Sequence, residues 1–252
     1  MREQKIISIK KKEEIDVLRE AGKILASVVN EIKCSLKTGI STKEVDRLAE
    51  QLIEKAGVKP AFKGYRGFPG CICISVNEEV VHGIPSERVL VEGDIVSLDV
   101  GIVYKGFYSD TAVTFGVGKI SRELESLIET TYQSLLKGIE RARVNNHLSD
   151  ISHAIQKFVE ANGFSIVRDF VGHGIGRNLH EDPEIPNFGP PHQGPLLKEG
   201  MVFAIEPMVN VGTWQTRILN DGWTVVTQDR KPSAHFEHSI AILEKGPLIL
   251  TQ

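Results

Sequence analysis

The sequence is short of the features that mark membrane proteins, secreted scaffolds and nucleic-acid binders. No window approaches 18 uninterrupted apolar residues, so a membrane span is not expected. The stretch Met1 to Lys10 lacks the apolar core of a secretory signal. There are only three cysteines, Cys34, Cys71 and Cys73, which cannot all pair, and a reducing cytoplasm is the expected compartment. Cys71 and Cys73 are two apart and share a face on a strand. Without a second cysteine pair they make a poor zinc site, and at least one of them reads as a small hydrophobe in a strand. A net charge of −3 gives no electrostatic footprint for nucleic acid. Glu13 and Glu14 follow Lys10, Lys11 and Lys12 at once, so that run reads as the solvated start of a helix, with a transient ribosome contact as the lesser reading. No Pro/Gly/Ser-rich linker interrupts the chain, and residues 1–252 are expected to form one domain.

What is present repeats itself. Glu92-Gly-Asp-Ile-Val-Ser-Leu-Asp99 aligns with Glu199-Gly-Met-Val-Phe-Ala-Ile-Glu206 at an offset of 107. At an offset of 106, Val45, Ala49, Leu52, Ile53, Glu54 and Gly57 align with Ile151, Ile155, Phe158, Val159, Glu160 and Gly163. Helical spacing of apolar residues with a glycine just past the end predicts two equivalent helices. A helix pair at 12–34 and 42–57 leads into strands near 71–76, 94–104 and 107–115. A second pair at 121–141 and 148–162 leads into strands near 165–171, 201–211, 222–228 and 235–243, with turns at Thr38-Gly39 and Asn145-Asn146. The pattern predicts an α+β fold with antiparallel sheet, built from halves at about 12–118 and 121–245 around a pseudo-twofold axis with a site between them.

Four acids stand in strand-like apolar runs: Asp99, Asp110, Glu206 and Glu237. Asp99 matches Glu206 in the repeat and Asp110 matches Glu237, so each half supplies two. Ionised carboxylates gathered in an apolar setting repel one another and lose hydration unless cations balance them. Lys and Arg are absent beside these positions, which leaves divalent metal as the economical explanation. The segment Val171-Gly-His-Gly-Ile-Gly-Arg177 adds an imidazole, His173, in what reads as a glycine-rich loop able to present it into a cleft. It lacks the Lys-Ser/Thr ending of a phosphate-binding loop. His180 and His82 sit in similar Gly/Pro-rich surroundings. Four carboxylates and one histidine favour oxygen-accepting ions such as Mn²⁺, Fe²⁺ or Co²⁺. Bridging carboxylates allow such a set to serve two metals, the arrangement of two-metal hydrolases.

Asp99, Asp110, His173, Glu206 and Glu237, spaced by 11, 63, 33 and 31, resemble the metal-binding set of type I methionine aminopeptidases. The resemblance runs from about residue 6 to the end and is strongest in Cys73-Ile-Ser-Val-Asn-Glu, Val81-His-Gly-Ile-Pro, Gly172-His-Gly-Ile-Gly-Arg, Ile205-Glu-Pro-Met and Asp221-Gly-Trp-Thr. It implies their "pita-bread" fold, with helices packed on one face of the sheet. It also implies removal of the initiator methionine from nascent chains with a small second residue, by a hydroxide bridging two divalent metals (Co, Mn, Fe(II), Ni or Zn). Asp110 and Glu237 would bridge, Asp99 would chelate one ion, and His173 with Glu206 would complete the other. Glu206 would double as general base, His180 would hydrogen-bond the substrate carbonyl or oxyanion, and His82 would contact the substrate near the scissile amide. Phe62, Tyr65, Phe68, Cys73, Leu179 and Trp223 would line the methionine pocket. Phe62 and Leu179 stand where bacterial relatives often have Cys and Phe, which leaves the pocket shape open. Backbone oxygens around Val76, Asn77 and Ser233 would hold a monovalent cation. A cytoplasmic monomer is expected. A proline-specific aminopeptidase and a non-catalytic binding protein of the same fold are the competing readings. The early start of the first helix disfavours the former, and the intact set of acids and histidines disfavours the latter.

Overall fold

The computed structural model describes residues 7–252. The expected helices form as α1 (Lys12–Ser35), α2 (Thr42–Lys55), α3 (Arg122–Arg141) and α4 (Leu148–Ala161). Their starts are legible chemistry. Ser41 accepts from the Glu44 amide while Glu44 reaches back to the Ser41 amide at 2.8 Å. Asp150 caps the His147 amide in the same way at 2.8 Å. Both α2 and α4 are followed by a glycine at positive φ, Gly57 at 71° and Gly163 at 82°, a conformation that any Cβ would disfavour.

Among the described residues, nine strands form the main sheet. Lys59–Pro60, Ile95–Tyr104, Phe107–Gly116, Glu237–Leu243, Val202–Ile205, Gly172–Gly174 and Glu181–Ile185 lie side by side in that order. Cys73–Val76 pairs with Ile95–Tyr104, and Gly246–Ile249 pairs with Glu237–Leu243. Every pairing is antiparallel, and the halves of the sequence meet where Glu237 faces Ala112. Two three-stranded sheets flank it, one of Ser233–His235, Met208–Asn210 and Ser165–Ile166, the other of Thr216–Ile218, Val225–Thr227 and Glu79–Val81.

Strand alternation divides the main sheet into two chemistries. Leu98, Val100 and Ile102 point to one face and pack with Leu25, Ile32, Val45 and Ile53 of α1 and α2. Phe203, Ile205, Ile240 and Ile242 pack likewise with Leu127, Leu135, Ile151 and Ile155 of α3 and α4. Truncating any of these to alanine removes about 2–5 kcal/mol. The intervening residues, Asp99, Asp110 and Glu237 among them, are thereby turned to the other face.

Several expected elements are corrected. The strand read at 201–211 breaks into Val202–Ile205 and Met208–Asn210, because Pro207 has no N–H to donate to a ladder. The run at 235–243 breaks at Phe236, and the strand at 165–171 shrinks to Ser165–Ile166. His173 is presented by the strand Gly172–Gly174 and not by a loop. Its glycines serve close approach: a Cβ on Gly172 would lie 2.5 Å from the Ala204 oxygen, and one on Gly174 would lie 2.3 Å from the Asp182 oxygen. The lysine run is also split, with Lys11 and Lys12 exposed and Lys10 buried.

Candidate metal centre and adjoining cavity

Pairing register gathers the acids. Cys73 faces Asp99, Asp99 faces Ala112, and Ala112 faces Glu237, so one row crosses four strands. Asp110 lies two residues from Ala112 on the same face, opposite Gly101. In a neighbouring row Ser239 faces Ala204, and Ala204 faces His173. The positions between these groups, Ala112 and Ala204, carry small side chains. Glu206 follows the end of Val202–Ile205 and reaches within 3.5 Å of His173 Nε2.

Ligand atoms of Asp110, His173 and Glu237 all lie within 4.8 Å of one another, and all three residues are buried. Asp99 Oδ1, Asp110 Oδ1 and Glu237 Oε1 are shut off from solvent without a hydrogen-bond partner. Burial pushes Asp99 up to about 7, with His235 pulling it down and Glu206 pushing it further up. It pushes Glu206 up to about 8. Asp110 and Glu237 are held well above the carboxylate range, by burial and then by the acids beside them. Burial, helped by His180, takes His173 down to about 3, so its ring is neutral. Its Nδ1 lies 2.9 Å from the Gly174 oxygen, which only accepts, so Nδ1 carries the hydrogen and the Nε2 lone pair is free for a ligand. Oxygen-rich donors with orphaned lone pairs and one free imidazole nitrogen fit divalent cations.

The cluster floors a cavity of about 170 Å³. That is below the roughly 300–1,000 Å³ of pockets that enclose a drug-sized ligand, and it suits a single side chain. The five expected ligands, His82 and His180, and the apolar set Phe62, Tyr65, Phe68, Cys73, Leu179 and Trp223 all line it. The Phe62 ring packs on Gly101, where an added Cβ would lie 2.6 Å from Cε1. Phe68 and Trp223 meet edge to face at 5.2 Å. His82, at φ 59°, sits edge-on to Phe170 and Trp223, and burial lowers it to about 4. The exposed His180 has its Nδ1 2.8 Å from the Tyr65 hydroxyl and its ring centre 4.4 Å from that of His173. Burial of its ring, then the Arg66 charge, hold it below the usual histidine range.

Two residues of the site escaped the sequence reading. Arg66 lines the cavity rim with its guanidinium 5.4 Å from the Tyr65 ring centre, and no local signal marks it. His235 is buried at 1% exposure, with Nε2 lacking a hydrogen bond and lying 3.5 Å from Glu206 Oε2. A period of two from Glu237 was the available signal for it.

Residues 16–244 match metallopeptidase family M24. The chain is 58% identical over 246 residues to a methionine aminopeptidase of Clostridium perfringens (strain 13 / Type A), covering 98% of this chain and 99% of that one. It is 55% identical over 247 residues to methionine aminopeptidase 1 of Bacillus subtilis (strain 168), covering 98% and 100%. Its structure matches that of methionine aminopeptidase from Thermotoga maritima with a TM-score of 0.96 at 48% identity, over 98% of this chain and 100% of that one. The fold is the pseudo-symmetric pita-bread arrangement of that neighbour. The chain belongs to metallopeptidase family M24 and, within it, to the methionine aminopeptidases.

Proposed function

We propose that the chain releases N-terminal methionine from nascent proteins and peptides, using two divalent metal ions held by Asp99, Asp110, His173, Glu206 and Glu237. The observation that carries this reading is the buried cluster itself, whose carboxylate oxygens lack partners at the floor of a cavity sized for one side chain. Asp110 and Glu237 would be shared between the ions, Asp99 would help hold one, and His173 with Glu206 would help hold the other. Cobalt, manganese, iron(II), nickel or zinc would supply positive charge and Lewis acidity at this place. Val76, Asn77 and Ser233 are candidates for a monovalent cation site, near Asn77 at φ 58°, whose carbonyl accepts from the Ser233 amide at 2.9 Å.

The chain's own groups divide the remaining work. Phe62, Tyr65, Phe68, Cys73, Leu179 and Trp223 enclose the methionine side chain and keep water from it. Glu206, with 15% of its side chain open to the cavity, takes a proton from the attacking water and returns it to the leaving amine. In the tautomer whose Nδ1 receives the Tyr65 hydroxyl hydrogen, His180 keeps Nε2–H to donate to the substrate carbonyl oxygen as negative charge develops. His82, neutral at pH 7, contacts the substrate near the scissile amide.

Among the described residues no helix is long and apolar enough to cross a membrane. We read the protein as a cytoplasmic monomer, one catalytic domain of two repeat-related halves, acting on chains with a small second residue and touching the ribosome only transiently. The test is a competition on metal-stripped protein offered Met-Ala-Ser and an Ala-Pro peptide together, with Mn²⁺ or Co²⁺ added, products read by mass. Metal-dependent loss of methionine alone is expected. Cleavage before proline would transfer the chain to the proline-specific branch, and no cleavage with any metal would sink the catalytic reading.

A further inference from the structure

Lys10 belongs to a lysine run that looks solvated in sequence, yet its side chain is only 6% exposed and meets Glu181 Oε2 at 2.5 Å. Ser8 Oγ donates to that same oxygen at 2.6 Å, and the Lys10 ammonium also donates to Ser8 Oγ. The other Glu181 oxygen accepts the Asn178 amide at 3.1 Å. The Gly176 amide donates to the Asn178 carbonyl at 3.2 Å, and the Gly176 carbonyl accepts the Tyr108 amide at 2.7 Å. One carboxylate thus ties residues 8–10 to the turn between His173 and His180.

The backbone is cut away to admit this strap. A Cβ on Gly176 would lie 2.3 Å from Lys10 Cε and 2.9 Å from Glu181 Oε1. A Cβ on Gly200 would lie 2.7 Å from Ile9 Cγ2, and the Gly200 carbonyl accepts the Lys10 amide at 2.7 Å. Burial alone pushes the Glu181 carboxyl up, but the donors from Lys10, Ser8 and Asn178 outweigh it and hold it below the usual range. A buried ion pair contributes little net stability, because desolvation offsets the attraction. Its use is therefore sought in placement. Among the described residues the exposed His180, the residue before Glu181, has one ring hydrogen bond, to Tyr65, so its backbone must help set where it points.

We propose that Lys10 is a positioning residue, which through its buried pair with Glu181 fixes the backbone that presents His180 to the cavity. The inference rests on the reading of His180 as the donor to the substrate carbonyl. Lys10 touches neither substrate nor the acid cluster and acts only through the turn.

The test combines Lys10→Met with Glu181→Gln, which keeps the side-chain volume, in the full chain and again in a His180→Ala background. Metal-loaded protein turning over Met-Ala-Ser, well below its melting temperature, should lose about tenfold in kcat with KM within about twofold, the scale expected when a reacting group is misplaced. In the His180→Ala background the same substitutions should change kcat by less than about twofold, the signature of two groups acting as one. Equal losses in both backgrounds, or unchanged kcat for both substitutions, would overturn the proposal. A second readout needs no turnover. In ¹⁵N NMR of the imidazoles, His180 should give one sharp tautomer in the parent and a broadened or shifted pair of signals in both variants. Unaltered His180 signals in both would overturn it too, even were the protein to release no methionine.

Discussion

The chain buries carboxylates in two ways. Outside the cavity each is supplied with donors. Asp46 accepts the Cys71 and Ile72 amides at 2.7 and 3.0 Å, Asp94 accepts the Asn77 side-chain amide and the Val91 amide at 2.8 and 2.9 Å, and Glu181 takes Lys10, Ser8 and Asn178. At the cavity floor Asp99, Asp110 and Glu237 each keep an oxygen with no partner. A fold able to satisfy the first group leaves the second unsatisfied where four acids converge. The difference teaches that the donors missing from the cluster are cations the protein takes from solution.

The comparison breaks most sharply at Glu206. Glu206→Gln keeps shape but removes the proton carrier, so turnover should fall by about 10²–10⁴-fold with circular dichroism unchanged. Full activity in that variant would show that the cluster acts without an acid–base group at this position.

The next largest effect separates the two kinds of acid by sign. Asp46→Asn weakens two hydrogen bonds to a charged acceptor and should destabilise the protein by about 1–3 kcal/mol. Asp110→Asn in metal-free protein at pH 8 removes an acid that the fold must either keep protonated or hold ionised beside other carboxylates, and should raise the unfolding free energy. Adding Mn²⁺ should reverse the order of Asp110→Asn and parent. Denaturant titration of both variants, with and without Mn²⁺, checks this, and a loss of stability for metal-free Asp110→Asn would contradict it.

How much of this was legible beforehand follows from the range of each interaction. The four helices and the glycines after α2 and α4 are local signals, and the helices stood within two residues of their expected bounds. The acids announced themselves by breaking an apolar pattern. The strand at 201–211 was overrun because apolar alternation continued through Glu206-Pro207, where a missing N–H ends the ladder. Lys10 was misread because its fate depends on Glu181, 171 residues away, and on the absent side chain of Gly176. His235 drew no role from the sequence, since its contact with Glu206 requires the strands to be paired first.

A smaller effect lies in pH. Asp99, at about 7, and Glu206, at about 8, titrate in the folded metal-free protein far above their unfolded values, and Asp110 and Glu237 shift the same way. Between pH 6.5 and 8 the folded state therefore binds more protons than the unfolded chain, and stability is lost as pH rises through that window. Below about 6.5 the depressed histidines, His82 and His238 at about 4 and His173 at about 3, act with opposite sign, because the unfolded state then binds the extra protons. Metal-free protein should lose roughly 1–2 kcal/mol from pH 6.5 to 8, and Mn²⁺ should flatten the curve. Calorimetry across that range with and without metal reads both, and a metal-free curve already flat would place the acids' titration elsewhere.

The smallest effect extends the comparison from acids to imidazoles. His173 has its tautomer fixed by a backbone carbonyl, a partner no side-chain substitution removes, whereas His180 relies on the Tyr65 hydroxyl at 2.8 Å. A hydroxyl can give its hydrogen to Nδ1 or accept one from it, so Tyr65 fixes distance more firmly than direction. Tyr65→Phe deletes one hydrogen bond, worth about 0.5–1.5 kcal/mol, and should cost roughly two- to tenfold in kcat. In ¹⁵N NMR the variant should admit the Nδ1–H tautomer of His180 while the signals of His173 stay in place. If instead kcat and the His180 tautomer are both unmoved, the backbone before Glu181 alone orients the ring, and the strap at Lys10 carries more of the site's geometry than the residue that touches the imidazole.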